Sequence, residues 1–369
     1  MQEDMHYYGT YAMARAAGLA VKHARVIAYA AQYVDDATAN NSEQHDDGGM
    51  LQAIATAHTN AQAIRNAKRD LTEQRNVWVP FHFYPGNVGE SLSEKLQCQK
   101  DGQLARIMVN NHIEHAVSVK EEYGLALMGV MAHVYADTFA HYGFSGVSST
   151  RNKVRGDSFQ LDVQSEDMKV YLETKYSKFL KKYLPSFLVY NWRRIASETA
   201  EDAVGALGHG GVATFPDRPF LKWRFTYEKN NRDSGWRDNP ATYLEGAEKL
   251  HDAFSRFAGQ AGIRAKSVDF AQIKGKVSAI IRLEADMQGR IAAWKQAILN
   301  QELFETDPQE QHALSYTAHD WEQQKLQFPM LPNSQTVVGQ EVYRFHQAAV
   351  YHRDYTMKQL LPRHGIVVL

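Results

Sequence analysis

The sequence predicts a mainly α-helical protein, a multi-helix bundle with long loops and extra helices toward its C-terminal end. Three observations predict it. Apolar residues recur at helical spacing over most of the chain, few stretches alternate with the two-residue rhythm of a strand, and Gly or Pro interrupts the periodic runs.

The first helix is expected over Tyr7–Ala17, an Ala-rich run stopped by Gly18. A second, Ala20–Val34, ends in Asp35-Asp36, and 40–49 reads as a polar loop. A helix is expected over Leu51–Leu71. Asn76–Tyr84 is rich in β-prone residues and holds Pro80, so it reads as an extended segment or edge strand. Helices follow over Leu104–Val119 and Glu121–Ala140, then a long exposed loop over Gly143–Asp157. Further helices are expected at Met168–Tyr183, Leu188–Leu207, Tyr243–Ala258, Ala271–Ile298, Pro308–Leu326 and Val338–Leu361, with Gly208–Pro219 and Asn230–Asn239 as loops. Residues 1–229 would form a metal-binding helical core. Residues 230–369 would pack on it as a helical extension, or the two would be one continuous domain.

The balance of charge is close to neutral, formally −1, so the chain has no global pull toward nucleic acid or an anionic membrane. The single cysteine, Cys98, can form neither an internal disulfide nor a thiolate metal site, so a metal must be held by His, Asp and Glu. The N-terminus has no basic region or apolar core of a signal peptide, and no apolar run is long enough to span a membrane. The expected location is therefore cytoplasmic by default, with export by a route that needs no cleaved signal as the alternative.

The stretch 123–141 is the most informative. Leu125, Leu127, Met128, Val130, Met131, Val134, Tyr135 and Phe139 surround the helix axis, which predicts a buried helix. His133, Asp137 and His141 recur every four residues, so each is rotated by only about 40° from the last and all three share one stripe. A carboxylate buried there is costly unless it is paired or binds a metal. A divalent cation held by the stripe is one solution; a hydrogen-bonded His–Asp–His network is the other. Partners elsewhere are His6 at the first helix, Asp35 or Asp36, His82 within Phe81-His82-Phe83-Tyr84, and His209 between glycines. Asp217 follows in Phe215-Pro216-Asp217-Arg218-Pro219 as a further candidate partner, the alternative there being an Asp–Arg pair in a turn. His112 and His115 rank lower as ligands, and His45 and His58 are expected to be exposed. His346 and His352 are expected in the core or an interface, and His319-Asp320 as a surface pair.

The order of these features resembles the zinc-dependent phospholipase C and single-strand nuclease superfamily, and most closely a bacterial branch of it. The resemblance runs from Asp4 to Gly146, more weakly to His209. It rests on His6 with the Ala-rich turn to Gly18, Asp35-Asp36, His82-Phe83-Tyr84, and the His133, Asp137, His141 helix. It implies the bundle of that family and two or three zinc ions, other divalent metals being alternatives. The ligands would be His6, Asp35 or Asp36, His82, His133, Asp137, His141 and His209. Asp137 would bridge, and Asp35 or Asp36 would position an attacking water. Where the family uses an N-terminal amine as ligand, Asp4 is the nearest substitute expected here. Where it has a late Glu, the nearest acid is Asp217.

The implied function is metal-dependent hydrolysis of a phosphoric ester by a zinc-activated water, with phospholipid as the substrate nearest the resemblance. The alternatives are a nuclease of the same superfamily and a non-catalytic, metal-stabilised helical interaction protein. No stable binding of nucleic acid is expected, because no basic-aromatic platform is visible. Arg151, Lys153 and Arg155 would attract an anion or form a solvated loop. A serine-hydrolase reading of Gly143-Phe144-Ser145-Gly146 fails, because Val147 stands where the motif needs Gly.

Overall fold

A computed structural model describes residues 1–58, 71–183 and 209–368, and they form a mainly helical protein. No described helix is long and apolar enough to cross a membrane. The principal helices are α1 (Thr10–Ala16), α2 (Val21–Asp36), α3 (Gln103–Ser118), α4 (Leu125–His141), α5 (Glu166–Tyr183), α6 (Asn239–Gln260), α7 (Phe270–Ile281), α8 (Met287–Leu299), α9 (His319–Leu326) and α10 (Glu341–Asp354). A π-helical turn, Asp4–Gly9, leads into α1.

Helix α4 is the axis of the fold. All but its first residue are buried, and α2, α3, α6 and α10 pack around it. One apolar cluster runs from Met1 through α1, α2, α4 and α6 to Val368, so the helices after residue 230 share a core with those before it. Gly129 sets the closest approach. A β-carbon there would sit 2.4 Å from the Ile27 carbonyl and 2.5 Å from Ala30 Cβ, so α2 lies almost backbone to backbone on α4.

The strands are short. β1 (Ser42–Gln44) and β2 (Met50–Gln52) form an antiparallel hairpin, with Glu43 opposite Leu51. Three antiparallel strands, β3 (Gln160–Asp162), β4 (Lys222–Arg224) and β7 (Arg237–Asp238), are centred on β4, with Trp223 opposite Leu161 and Arg237. β5 (Thr226–Tyr227) pairs β6 (Arg232–Asp233). A second apolar cluster, including Phe83, Phe144, Phe215, Trp223 and Phe225, rests on these strands.

Several elements differ from expectation. Asn76–Tyr84 is not extended: a π turn (Gln74–Trp78) passes into a helical turn (Val79–Phe81). Pro80 sits in that first turn, where its missing N–H costs nothing. Val79 and Phe81 enter the main core while Phe83 enters the second cluster, a division a flat strand would not give. The described part of Leu51–Leu71 begins with β2 rather than a helix, and 188–207 lies outside the described residues. The loop 40–49 contains β1, and Asn230–Asn239 contains β6 and β7. Gly143–Asp157 is less exposed than expected: Phe144, Ser145, Asn152 and Val154 are buried.

The run Ala271–Ile298 is split into α7 and α8. Asp286 caps α8 by accepting from the Gly289 N–H at 2.8 Å. Pro308–Leu326 is split because Glu310 turns inward to Tyr11 and Arg15. Gly129→Ala would force α2 off α4 and is expected to cost about 1–3 kcal/mol of stability as overpacking. Urea unfolding would register it as a lowered midpoint.

Candidate metal centre

The α4 stripe folds as its spacing demands. Asp137 Oδ2 lies 3.3 Å from His133 Nε2 and 3.4 Å from His141 Nδ1, one turn away on either side. Three other segments converge on it. His6, on the π turn, places Nε2 3.2 Å from Asp137 Oδ1. His82, just past the helical turn, places Nδ1 3.4 Å from Asp137 Oδ2. Asp35, at the end of α2, lies 3.9 Å from nitrogens of His6, His82 and His133.

A second nest adjoins the first. His141 Nε2 lies 2.9 Å from Asp217 Oδ1, and His209 Nε2 lies 3.7 Å from Asp217 Oδ2. The Met1 nitrogen sits between the nests, 2.6 Å from Asp137 Oδ1 and 3.4 Å from Asp217 Oδ1.

Backbone carbonyls orient the imidazoles. His133 Nδ1 donates to Ala31 O at 2.8 Å, and His82 Nε2 to Thr56 O at 2.7 Å. His141 Nδ1 donates to His82 O at 2.8 Å, and His209 Nδ1 to Ala213 O at 2.6 Å. Each of these bonds fixes the proton on the outer nitrogen, so in the neutral ring the inner nitrogen presents a lone pair. Those lone pairs face one another and the carboxylates. His82 Nδ1 and His133 Nε2 are 3.3 Å apart with no proton left to share in that tautomer. Asp137 Oδ2 and both ring nitrogens of His6 are buried without a hydrogen-bond partner.

Apart from the Met1 ammonium, which donates to Asp137 Oδ1 at 2.6 Å, the centre is rich in acceptors and short of donors, the condition a cation relieves. Three groups bring potential ligand atoms within 4.8 Å of one another, close enough that each could hold a metal ion: His6, His133 and Asp137; Asp35, His82 and His133; His141, His209 and Asp217. The set has nitrogen and carboxylate oxygen only, since Cys98 is buried elsewhere against the backbone of Gly143 and Phe144.

Charge tuning follows from the same packing. Burial alone would raise the Asp137 carboxyl, but His141, the Met1 ammonium and His133 hold it well below the usual carboxylate range. Burial and the neighbouring His133 and Met1 ammonium push His6 far down, and burial takes His209 down to about 4, so both rings are neutral at neutral pH. Asp35 is different: desolvation raises its carboxyl, with His133 and His82 offsetting part of the rise.

Neighbouring elements hold the centre in place. Asn239, at the start of α6, donates through Nδ2 to the carbonyls of Phe215 (2.9 Å) and Arg218 (2.8 Å), and Tyr243 Oη donates to Pro216 O at 2.8 Å. Together they fix the turn that presents Asp217. Arg290 on α8 donates to Asp4 at 2.6 and 3.3 Å and to Gln2 Oε1 at 2.6 Å, anchoring the segment beside Met1.

These bonds change several expectations. Asp4 faces Arg290 and lies outside the cluster, where the Met1 nitrogen is the group beside Asp137. Of the Asp35–Asp36 pair, Asp35 faces the cluster, while Asp36 accepts from Tyr316 Oη at 2.6 Å and Gln32 Nε2 at 3.2 Å. Asp217 points to His141 and His209 rather than pairing with Arg218. His112 is buried against His352 on α10, and His115 stacks on Tyr351.

His45 is buried, not exposed, with Nε2 at 2.8 Å from Leu331 O, and His58 pairs with Glu73. His346 and His352 are core residues, and His319 and Asp320 are exposed. Arg151 pairs with Glu94 and Arg155 with Asp157, away from the centre. Ser145 is buried, with Oγ 3.3 Å from Val147 O and from Asn152 Oδ1.

A cavity of about 350 Å³ opens beside the cluster. Its walls include Asp35, His58, Trp78, Phe83, His141 and Asp217, and no Lys or Arg is among the described residues that line it.

Comparison with known proteins adds a family and no activity. The family whose sequence model matches residues 1–360 is described as a family of unknown function (DUF6765). No curated protein and no solved structure matches the chain. If the centre binds a cation in the folded state alone, zinc at 1,000 times its dissociation constant should add about 4 kcal/mol of stability. Thermal unfolding with zinc and with a chelator would show this as separated midpoints.

Proposed function

The chain belongs to the DUF6765 family, and we propose that it is a metal-dependent phosphoric ester hydrolase acting on a phosphodiester. The supporting observation is the set of inward lone pairs on His82, His133, His141 and His209 meeting the carboxylates of Asp35, Asp137 and Asp217 beside an open cavity. Structural zinc sites are closed by four protein ligands; a site with adjoining space has room for water and substrate.

His133 offers a single inner nitrogen, because its Nδ1 is bonded to Ala31. It can serve one ion at a time. On that ground Asp35, His82 and His133 would hold one ion and His141, His209 and Asp217 another. His6, Asp137 and the Met1 nitrogen offer a third position. Zinc suits this donor set, and other divalent metals compete for it.

Bound ions of this kind lower the pKa of water toward neutrality and neutralise phosphoryl oxygens. The chain's own residues do the rest. Asp35 is about a third exposed and faces the cavity. Its carboxyl, already raised by desolvation, would orient the attacking water and take its proton. Asp137, fully buried, would stay ionised throughout. The carbonyls of Ala31, Thr56, His82 and Ala213 would keep the imidazoles aimed without relaxation during turnover. Trp78 and Phe83 would narrow the cavity and exclude bulk water.

A nuclease acting on long nucleic acid is less supported, since the described cavity lining has no Lys or Arg to meet successive phosphates. A lipid diester needs no such track. The competing class, an interaction protein with a purely structural metal, leaves the cavity without a role.

Elemental analysis together with hydrolysis of bis(4-nitrophenyl) phosphate, with and without chelator, tests the proposal. Asp137→Ala should lose metal and turnover together. Asp35→Asn should lower kcat by about 10²-fold or more, and Asp36→Asn much less. Undiminished turnover in chelator-stripped protein would refute the proposal.

A further inference from the structure

We propose that His58, held by Glu73, is the acid that protonates the departing alcohol, and that the substrate is a diester of an unactivated aliphatic alcohol. The inference rests on the hydrolase reading above and names the kind of bond it breaks.

The placement comes first. His58 Nε2 lies 2.6 Å from Glu73 Oε2, with the two side chains 9% and 32% exposed. The His58 ring lies 6.3 Å from that of Trp78, and Trp78 lies 5.4 Å from the ring of His82, whose Nδ1 faces Asp137. His58 is thus one aromatic ring away from the cluster and shares its cavity. Its backbone is tied to the same frame. Two residues earlier, Thr56 donates from its N–H to Ala37 O at 2.8 Å and from its hydroxyl to Val34 O at 2.6 Å, while its carbonyl orients His82. The segment leading to His58 is therefore bonded to the end of α2 that carries Asp35.

The chemistry follows by elimination within the cavity. A dialkyl diester releases an alkoxide, a poor leaving group that needs a proton as its bond to phosphorus breaks. No Lys or Arg is among the described residues lining this cavity, and the Met1 ammonium that lines it is engaged by Asp137 at 2.6 Å. His82, His141 and His209, the other imidazoles of its wall, each have one nitrogen on a carbonyl and the other in the cluster. Only His58 among them faces a carboxylate outside the cluster. Glu73 Oε2, 2.6 Å from Nε2, lies close enough to fix how the His58 ring sits in the cavity wall.

The step balances. Water oxygen forms a bond to phosphorus and gives one proton to Asp35. The bond from phosphorus to the alcohol oxygen breaks with its electron pair, and that oxygen takes the proton from the His58 ring. Neutral His58 stays against Glu73 and regains its proton from solvent.

The test compares two esters that differ in leaving group. Ethyl 4-nitrophenyl phosphate releases a stabilised phenolate and needs little acid assistance; ethyl glyceryl phosphate releases an alcohol. His58→Gln should keep the metal content of the parent protein. It should lose about 10²-fold or more in kcat on the glyceryl ester and only a few-fold on the nitrophenyl ester. Glu73→Gln should show the same selectivity with a smaller loss. Equal losses on both esters, or metal lost from His58→Gln, would overturn the role of His58 while leaving the hydrolase reading intact. A zinc-loaded parent protein that hydrolyses neither ester would refute both.

Discussion

A buried, ionised carboxylate ringed by imidazoles and one ammonium is the constraint on which this molecule depends. Asp137 lies on the most buried helix of the fold, with ring nitrogens of His6, His82, His133 and His141 turned toward it. In water such a group costs nothing to keep charged; in a core it needs positive charge or hydrogen-bond donors. The Met1 ammonium supplies one such donor at 2.6 Å, while the outer ring protons of His82, His133 and His141 are committed to carbonyls. The packing of α2 on α4 at Gly129 brings the two carboxylates of the cluster together. Asp35 comes within 3.9 Å of the His133 imidazole because nothing larger than hydrogen separates the helices.

The later part of the chain contributes alignment. Asn239 and Tyr243 brace the turn of Asp217, Arg290 grips Gln2 and Asp4, and Tyr316 draws Asp36 aside so that its neighbour faces the cluster. None of these side chains would ligate a metal. Each is aimed at the backbone or side chain next to a group that could. Tyr11 and Tyr33 bond Glu310 and Glu322 in the same manner, stitching α1 and α2 to the segments before and within α9.

The helices and the central stripe were legible in the sequence because both are periodic. His133, Asp137 and His141 are brought together by helical geometry alone, which needs no tertiary knowledge. Asp217 was harder to place. Its partner His141 is distant in sequence, and the adjacent Arg218 offered a simpler local explanation. The choice between Asp35 and Asp36 turned on Tyr316, in a region without a recognisable motif. The segment Asn76–Tyr84 misled because β-branched and aromatic residues favour strands on average. Here Val79 and Phe81 enter one apolar cluster and Phe83 the other, although a strand would put all three on one face, and a helical turn satisfies both. His58 looked like an exposed loop residue, since nothing local announces Glu73 as its partner.

The braces from the later helices also order events in time. By residue 217 a growing chain has already made His6, Asp35, His82, His133, Asp137, His141 and His209, yet Asn239, Arg290 and Tyr316 are still unmade. An emerging polypeptide therefore carries the His and Asp groups of the nest well before the side chains that brace them exist, so on the proposed reading a cation would find its ligands in register only once the later helices had been made.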